Sequence, residues 1–261
     1  MNNYPIGILD SGVGGLTIWK EIVTLLPRES TIYIGDSKNC PYGSKSVEKI
    51  YLLAKRLVKF LVQKQCKIIV VACNTISVSC LDQLRKDFSE IPIIGTVPVV
   101  KTADQVSKKK RIGILSTSAT SQSTYQRDLI QKFASDCDVI DSGTDTLVPF
   151  IEEGKIEEAE KVLTTILKPY IDAKIDVLVL GCSHFPFLKT QIQHILGSHI
   201  TILDSGSAIA QQVKRVLAEK NLSAQKKIGK HLMYTTGNKL LMGKFVGELG
   251  YNRVSVYREA V

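Results

Sequence analysis

Two of the six cysteines, Cys73 and Cys182, stand apart by position. Each closes an apolar run, Ile68-Ile69-Val70-Val71-Ala72 and Val177-Leu178-Val179-Leu180-Gly181. Each is followed by hydrogen-bonding side chains, Asn74 and Thr75 in one case, Ser183 and His184 in the other. Polar groups just beyond an apolar strand make poor core and good ligand contacts. Two thiols on opposite walls of one site have a specific use. Inverting a stereocentre that carries a hydrogen requires a base on one face and an acid on the other, and a thiolate facing a thiol supplies both without metal or cofactor. An amino acid's α-proton is far less acidic than a thiol of pKa about 8.5. Such a site therefore also needs fixed donors for the developing charge and the exclusion of water. A free cysteine taken alone is more often a small buried apolar residue; the matched pair is what points to chemistry.

The elements that must position the thiols follow from hydrophobic patterning. Short β-branched runs at Ile6–Leu9, Thr31–Ile34, Ile68–Ala72, Ile91–Ile94, Ile112–Leu115, Val139–Ile140, Val177–Leu180 and Thr201–Leu203 read as parallel strands covered on both faces. Between them, Val47–Gln63, Val78–Phe88, Ser123–Phe133 and Ile156–Ile171 carry helical periodicity. This alternation predicts doubly wound α/β sheets with right-handed crossovers. The spacing repeats: Ile6-Gly7-Ile8-Leu9 recurs as Ile112-Gly113-Ile114-Leu115, an offset of 106, and Ile68–Cys73 parallels Val177–Cys182, an offset of 109. Cys73 to Ile91 and Cys182 to Ile200 both span 18 positions. Two similar α/β domains in pseudo-two-fold arrangement are expected, with the site in the cleft between them at the carboxyl ends of the strands. The expected division is residues 1–97 with 207–261, the last segment packing back on the first domain, and residues 98–206. Within the tail, His231–Thr236 reads as a strand leading into a helix, Lys226-Lys227 as a solvated turn, and the final residues as a last strand.

Composition narrows the function classes. Of 261 residues, 44% are apolar and 23% charged, the balance of a globular protein. No run approaches the length of a spanning helix, and Met1-Asn2-Asn3-Tyr4-Pro5 lacks a signal-peptide pattern, so a cytoplasmic protein with no membrane partner is expected. No C-x-x-C pair and no His/Cys zinc spacing occur, so neither a disulfide framework nor a metal or cofactor site is expected. The net charge of +9 raises nucleic acid as a partner. However, the one dense basic run, Lys108-Lys109-Lys110-Arg111, lies in the half with 12 basic against 14 acidic residues, and base-stacking aromatics are not interleaved with it. Nucleic-acid binding is the weaker reading.

Ordered motifs then identify a resemblance. Asp10-Ser11-Gly12-Val13-Gly14-Gly15-Leu16, Gly35-Asp36, Pro41-Tyr42-Gly43, Ala72-Cys73-Asn74-Thr75, Thr117-x-x-Thr120, Val148-Pro149-Phe150-Ile151-Glu152 and Gly181-Cys182-Ser183-His184-Phe185-Pro186 together resemble the cofactor-independent glutamate racemases over nearly the whole chain. The resemblance implies that Cys73 and Cys182 are the two acid/base residues. It implies that Asp10 and Ser11 contact substrate, with Asp10 assisting Cys73 or binding the amino group. Pro41, Tyr42 and Gly43 would cradle a substrate carboxylate through backbone. Asn74, Thr75, Thr117, Thr120, Ser183 and His184 would bind substrate, with His184 and Glu152 beside the second thiol. It further implies a cytoplasmic homodimer that supplies D-glutamate for peptidoglycan precursors.

Departures from the pattern are Ser183 where Thr is more usual, Phe185 where Tyr is more usual, and the segment Ser142–Thr146. Gly12, Gly14 and Gly15 do not make the G-x-G-x-x-G of a dinucleotide site, so they read as a tight turn that can still present N–H groups to a carboxylate. Asp36 reads as a ligand or a helix cap and is left out of the site. Trp19 reads as core, and His194, His199 and His231 as surface or satisfied residues. The rival readings are an aspartate or other acidic amino-acid racemase of the same mechanism, a nucleic-acid-binding protein, and a binding module without chemistry.

Overall fold

The computed structural model describes residues 3–225 and 228–260; the expected turn at Lys226-Lys227 lies outside the described residues. The strands are β1 (Ile6–Asp10), β2 (Thr31–Gly35), β3 (Ile68–Val71), β4 (Ile93–Gly95), β5 (Arg111–Ser116), β6 (Asp138–Gly143), β7 (Val177–Gly181), β8 (Thr201–Leu203), β9 (His231–Thr235) and β10 (Ser255–Arg258). The helices of the first part are α1 (Leu16–Leu25), α2 (Val47–Gln63), α3 (Asn74–Asp87) and α4 (Val100–Val106). They are followed by α5 (Ser118–Ser121), α6 (Thr124–Phe133), α7 (Leu147–Glu152), α8 (Ile156–Asp172), α9 (Lys189–Leu196), α10 (Gly206–Glu219) and α11 (Lys239–Glu248).

All pairings among the described strands are parallel, and they form two sheets ordered β10-β9-β2-β1-β3-β4 and β6-β5-β7-β8. Without β9 and β10 the two orders are the same, 2-1-3-4. The register repeats too. Ile6 lies opposite Ile68, and Ile112 opposite Val177. Ile69 lies opposite Ile93, and Leu178 opposite Ile202, so both members of that pair are displaced by 109. The repeat seen in the sequence is thus a repeat of topology. In each sheet the chain reverses its winding between the first and third strands, which is where open α/β sheets bind ligands. Cys73 and Cys182 follow those third strands.

Alternation within the strands explains their unbroken hydrophobicity. Ile6, Ile8, Ile68 and Val70 pack on the side of α1 and α10, whereas Leu9, Ile69 and Val71 pack beneath α2 and α3. In the second sheet Leu178 and Leu180 face α8 and α9, while Ile112, Ile114, Val177 and Val179 face α4 and α6. The α1 side of the first sheet and the α8 side of the second share one continuous core. Trp19 lies fully buried in it, its indole N–H donating to Thr31 Oγ1. His231 is a partnered residue of β9: its Nδ1 lies 3.0 Å from Thr31 Oγ1 and its ring stands edge-on to Trp19.

The expected helix over Val78–Phe88 begins earlier, at Asn74, immediately after Cys73. Its first turn lacks the apolar spacing that marks a helix, because Asn74, Thr75 and Ser77 are buried there as polar groups. The expected strand Ile91–Ile94 is confined to Ile93–Gly95, and Val139–Ile140 extends to Asp138–Gly143. The tail returns to the first sheet: α10 packs on α1, and β9 pairs with β2. A buried ion pair secures the connection. Lys67 Nζ contacts Glu29 Oε2 and donates to Leu222 O at 2.8 Å, and Ala224 N donates to Glu29 Oε1 at 2.7 Å. No helix among the described residues is long and apolar enough to cross a membrane.

Candidate active site

β1 ends in Asp10, which is fully buried and held by the turn that follows it: Gly12 N donates to Oδ1 at 2.7 Å and Ser183 Oγ to Oδ2 at 3.0 Å. Burial raises the Asp10 pKa above the usual carboxylate value, with the opposing pull of His184 and the Gly12 N–H insufficient to cancel it. The glycine turn is shaped by what packs on it from the second sheet. A Cβ on Gly12 would overlap the Glu152 carboxylate, and one on Gly14 would overlap the His184 ring and the Ser183 hydroxyl. The turn presents N–H groups to carboxylates, but to the protein's own: Val13 N donates to Glu152 Oε1 at 2.6 Å.

The two thiols line one small cavity together with Ser11, Pro41, Tyr42, Gly43, Asn74, Thr75, Thr117, Val148, Ser183 and His184. Their surroundings differ. Cys73 Sγ donates to Ser11 Oγ at 3.5 Å. Burial, and then the neighbouring Asp10 carboxylate, push its thiol pKa up to about 12, so in this closed state it holds its proton. Cys182 Sγ lies 3.9 Å from His184 Nδ1, and His184 Nε2 lies 2.6 Å from Glu152 Oε1. Burial by itself would lower the His184 pKa. Contacts with Cys182, Cys40 and Glu152 outweigh it, and the pKa stands well above the ordinary value. One wall therefore carries a protonated thiol next to a carboxyl group, and the other a thiol next to an imidazole that retains its proton.

Polar groups aimed into the cavity complete the arrangement. Asn74 is buried, and its Nδ2 has no hydrogen-bond partner. A buried unpaired amide costs about 1–3 kcal/mol, and this one lies beside Cys73 where a ligand oxygen would satisfy it. Thr75 Oγ1 is 2.9 Å from Thr117 Oγ1, which donates to Thr120 Oγ1 at 2.9 Å, a hydroxyl chain from α3 in the first half to α5 in the second. The Tyr42 hydroxyl donates to Asp36 Oδ2 at 2.6 Å, leaving Tyr42 to offer backbone to the cavity.

The structure thus brings eleven of the fourteen expected site residues to one cavity wall, while Asp10 and Thr120 stand behind it as supports for Ser183 and Thr117, and Glu152 lines the adjoining cavity. Asp36 does more than the sequence suggested. Buried at the end of β2, it accepts from Tyr42, Thr236 and Asn39 and so fixes the loop bearing Pro41 to Gly43. Its only sequence signal was a position just past a strand end. Asp145, in the departing segment Ser142–Thr146, packs against Gly43 so closely that a Cβ there would overlap it.

Known proteins resemble this chain over most of its length. A family model described as Asp/Glu/Hydantoin racemase matches residues 6–213. Glutamate racemase of Clostridium botulinum (strain Alaska E43 / Type E3) is 41% identical over 222 residues, covering 84% of this chain and 86% of that protein. Glutamate racemase of Shewanella sp. (strain MR-4) is 42% identical over 228 residues, covering 85% and 83%. This chain belongs to the Asp/Glu/hydantoin racemase family. Among solved structures, a glutamate racemase isoform from Bacillus anthracis matches with a TM-score of 0.90 at 33% identity, covering 100% of this chain and 99% of that one. The Francisella tularensis glutamate racemase in complex with D-glutamate matches at 0.85 and 32% identity, covering 100% and 98%.

Within this racemase family framework the departures have clear local roles. Ser183 keeps the hydroxyl that reaches Asp10. Phe185 is fully buried in the continuous core, where a ring needs no polar partner.

Proposed function

We propose that this protein is a glutamate racemase that interconverts L- and D-glutamate by proton transfer at Cα between Cys73 and Cys182. The observation that carries the reading is that the two cysteines, each just past the third strand of its sheet, line one small cavity together with Ser11, Asn74, Thr75, Thr117, Ser183 and His184. Glutamate is favoured over aspartate because the relatives named above are glutamate racemases.

In this reading one cysteine, as thiolate, takes the α-proton while the other, as thiol, delivers one to the opposite face, and each turnover exchanges their protonation states. Cys73 rests as the thiol. His184, oriented by Glu152, gives and takes the proton of Cys182. Asp10 carries the charge beside Cys73 and orients Ser183. The Asn74 amide, Ser11, Thr75, Thr117 and the backbone of Pro41 to Gly43 hold the substrate's carboxylates and stabilise the charge that develops. The chain divides into residues 1–97 with 207–261 and residues 98–206, so that the halves can part to admit substrate and close to exclude water. The family resemblance adds a cytoplasmic homodimer that supplies D-glutamate for peptidoglycan precursors.

The test is stereochemical. Wild-type protein incubated with L-glutamate should yield the D-isomer by chiral chromatography, and Cys73→Ala and Cys182→Ala should each yield none while melting like the parent. Net racemisation by either single variant at the parental rate would remove the two-base mechanism.

A further inference from the structure

Cys40 is not used in the mechanism above, yet it sits beside the catalytic wall. It precedes Pro41, is half-buried, and belongs to a cluster with Glu152 and His184 in which one donor atom from each residue lies within 4.8 Å of the others. The cluster draws one thiol from the first half of the chain and a carboxylate and an imidazole from the second. It also meets a solvent-open cavity of about 440 Å³ lined by Cys40 and Glu152 together with Val13, Pro149 and Leu241. That cavity gives a small solute access from outside, whereas the smaller space around Cys73 and Cys182 is lined mostly by buried residues.

We infer that Cys40, Glu152 and His184 form a binding site for a thiophilic divalent cation such as Zn2+, and that its occupation switches the enzyme off. A sulfur, a nitrogen and an oxygen donor with a fourth position open to solvent is an accepted zinc environment, with bonds of about 2.0–2.3 Å. Donors in such a tetrahedron stand roughly 3.3–3.8 Å apart, so no pair, all being within 4.8 Å, must close by more than about 1–1.5 Å. The 2.6 Å contact between His184 Nε2 and Glu152 Oε1 must open by a similar amount. The ion displaces the Cys40 thiol proton and the proton shared between His184 and Glu152, both released to solvent, and the fourth position takes a water. No spacing in the sequence marks the site, because its ligands lie at three separate places in the chain.

The consequence follows from the same contact. His184 held on a cation cannot give or take the proton of Cys182, and the Glu152 contact that orients it is spent on the metal. Inhibition rests on the proposed role of His184; binding does not, so the two are tested separately.

The probe is Co2+ added to the full-length reduced protein, read by the near-ultraviolet thiolate-to-cobalt charge-transfer band and the visible bands of tetrahedral cobalt. The bands should appear with one equivalent, be erased by Zn2+, persist in the Cys73→Ser/Cys182→Ser double variant and in Cys137→Ser, and be lost in Cys40→Ser. Cys137 is the needed control because it forms the only other such cluster among the described residues, with Asp104 and Asp136. In activity assays without chelator, Zn2+ should inhibit the parent at least ten-fold more strongly than Cys40→Ser, and chelator should restore the parent. Bands that survive in Cys40→Ser, that vanish in the double variant or in Cys137→Ser, or that never form in folded protein would overturn the site. Binding without inhibition would overturn only the switch.

Discussion

At the scale of single residues, the unpaired Asn74 amide is the most informative group in the site. A purely structural amide would have its donors satisfied, whereas Nδ2 here has no partner. Replacing Asn74 with Ala should therefore leave the melting temperature unchanged or slightly raised, since an unpaired buried donor is removed, and should reduce kcat/KM by about 10- to 100-fold through the lost charge-assisted hydrogen bond of roughly 1.5–3 kcal/mol. Unchanged activity with a lowered melting temperature would mark Asn74 as structural. Gly14 makes the complementary case. Its added Cβ would displace the His184 ring and the Ser183 hydroxyl, so Gly14→Ala should cost at least 100-fold in kcat, read by steady-state kinetics in both directions. Both thiols and their immediate polar neighbours were legible in the sequence because they close apolar runs. Cys40 and Asp145 were not, since their roles arise from approach between chain segments that sequence spacing does not record.

At the scale of elements, the sequence disclosed the eight strands that repeat and the relation between them, because a strand buried on both faces leaves an unbroken apolar signature. Element ends next to the site were harder to read. The first turn of α3 is polar at Asn74, Thr75 and Ser77, and it is helical because β3 must turn into a helix there to hold Cys73 at its mouth. The same elements depend on a charge buried far from the chemistry. Lys67, at the start of β3, and Glu29, before β2, tie the segment after α10 to the first sheet. Removing one partner of a buried ion pair leaves the other uncompensated, at a cost of about 3–5 kcal/mol. Lys67→Met should accordingly lower the unfolding free energy from denaturant titration by about 3–5 kcal/mol while leaving kcat of the folded fraction within two-fold of the parent. A loss below about 1 kcal/mol would show that the pair contributes little.

At the scale of the whole molecule, two sheets of the same winding place matched strand ends against one cavity, and the continuous core behind them limits how far they can part. Burial of thiols on this scaffold also has a pH signature. Cys40, Cys66, Cys73 and Cys80 each have a pKa raised by burial from 9.0 to about 12. Each binds its proton more tightly in the folded than in the unfolded chain, so its contribution is fully present below pH 9 and is lost as pH rises toward 12. His184, raised well above its ordinary value, acts in the same direction. The melting temperature should fall steadily above about pH 9, and Cys66→Ala/Cys80→Ala should flatten that slope without altering racemisation. A melting temperature flat to pH 11 would contradict the buried, protonated thiols. The proposed racemisation consists in the exchange of a proton at Cα between two opposed groups. Incubating the protein with L-glutamate and, separately, with L-aspartate in deuterated water, with chelator present and mass detection after chiral separation, tests that claim. D-glutamate carrying one solvent deuteron at Cα, with no D-aspartate formed, is the predicted result; D-glutamate without deuterium, or no inversion by folded protein, would contradict it.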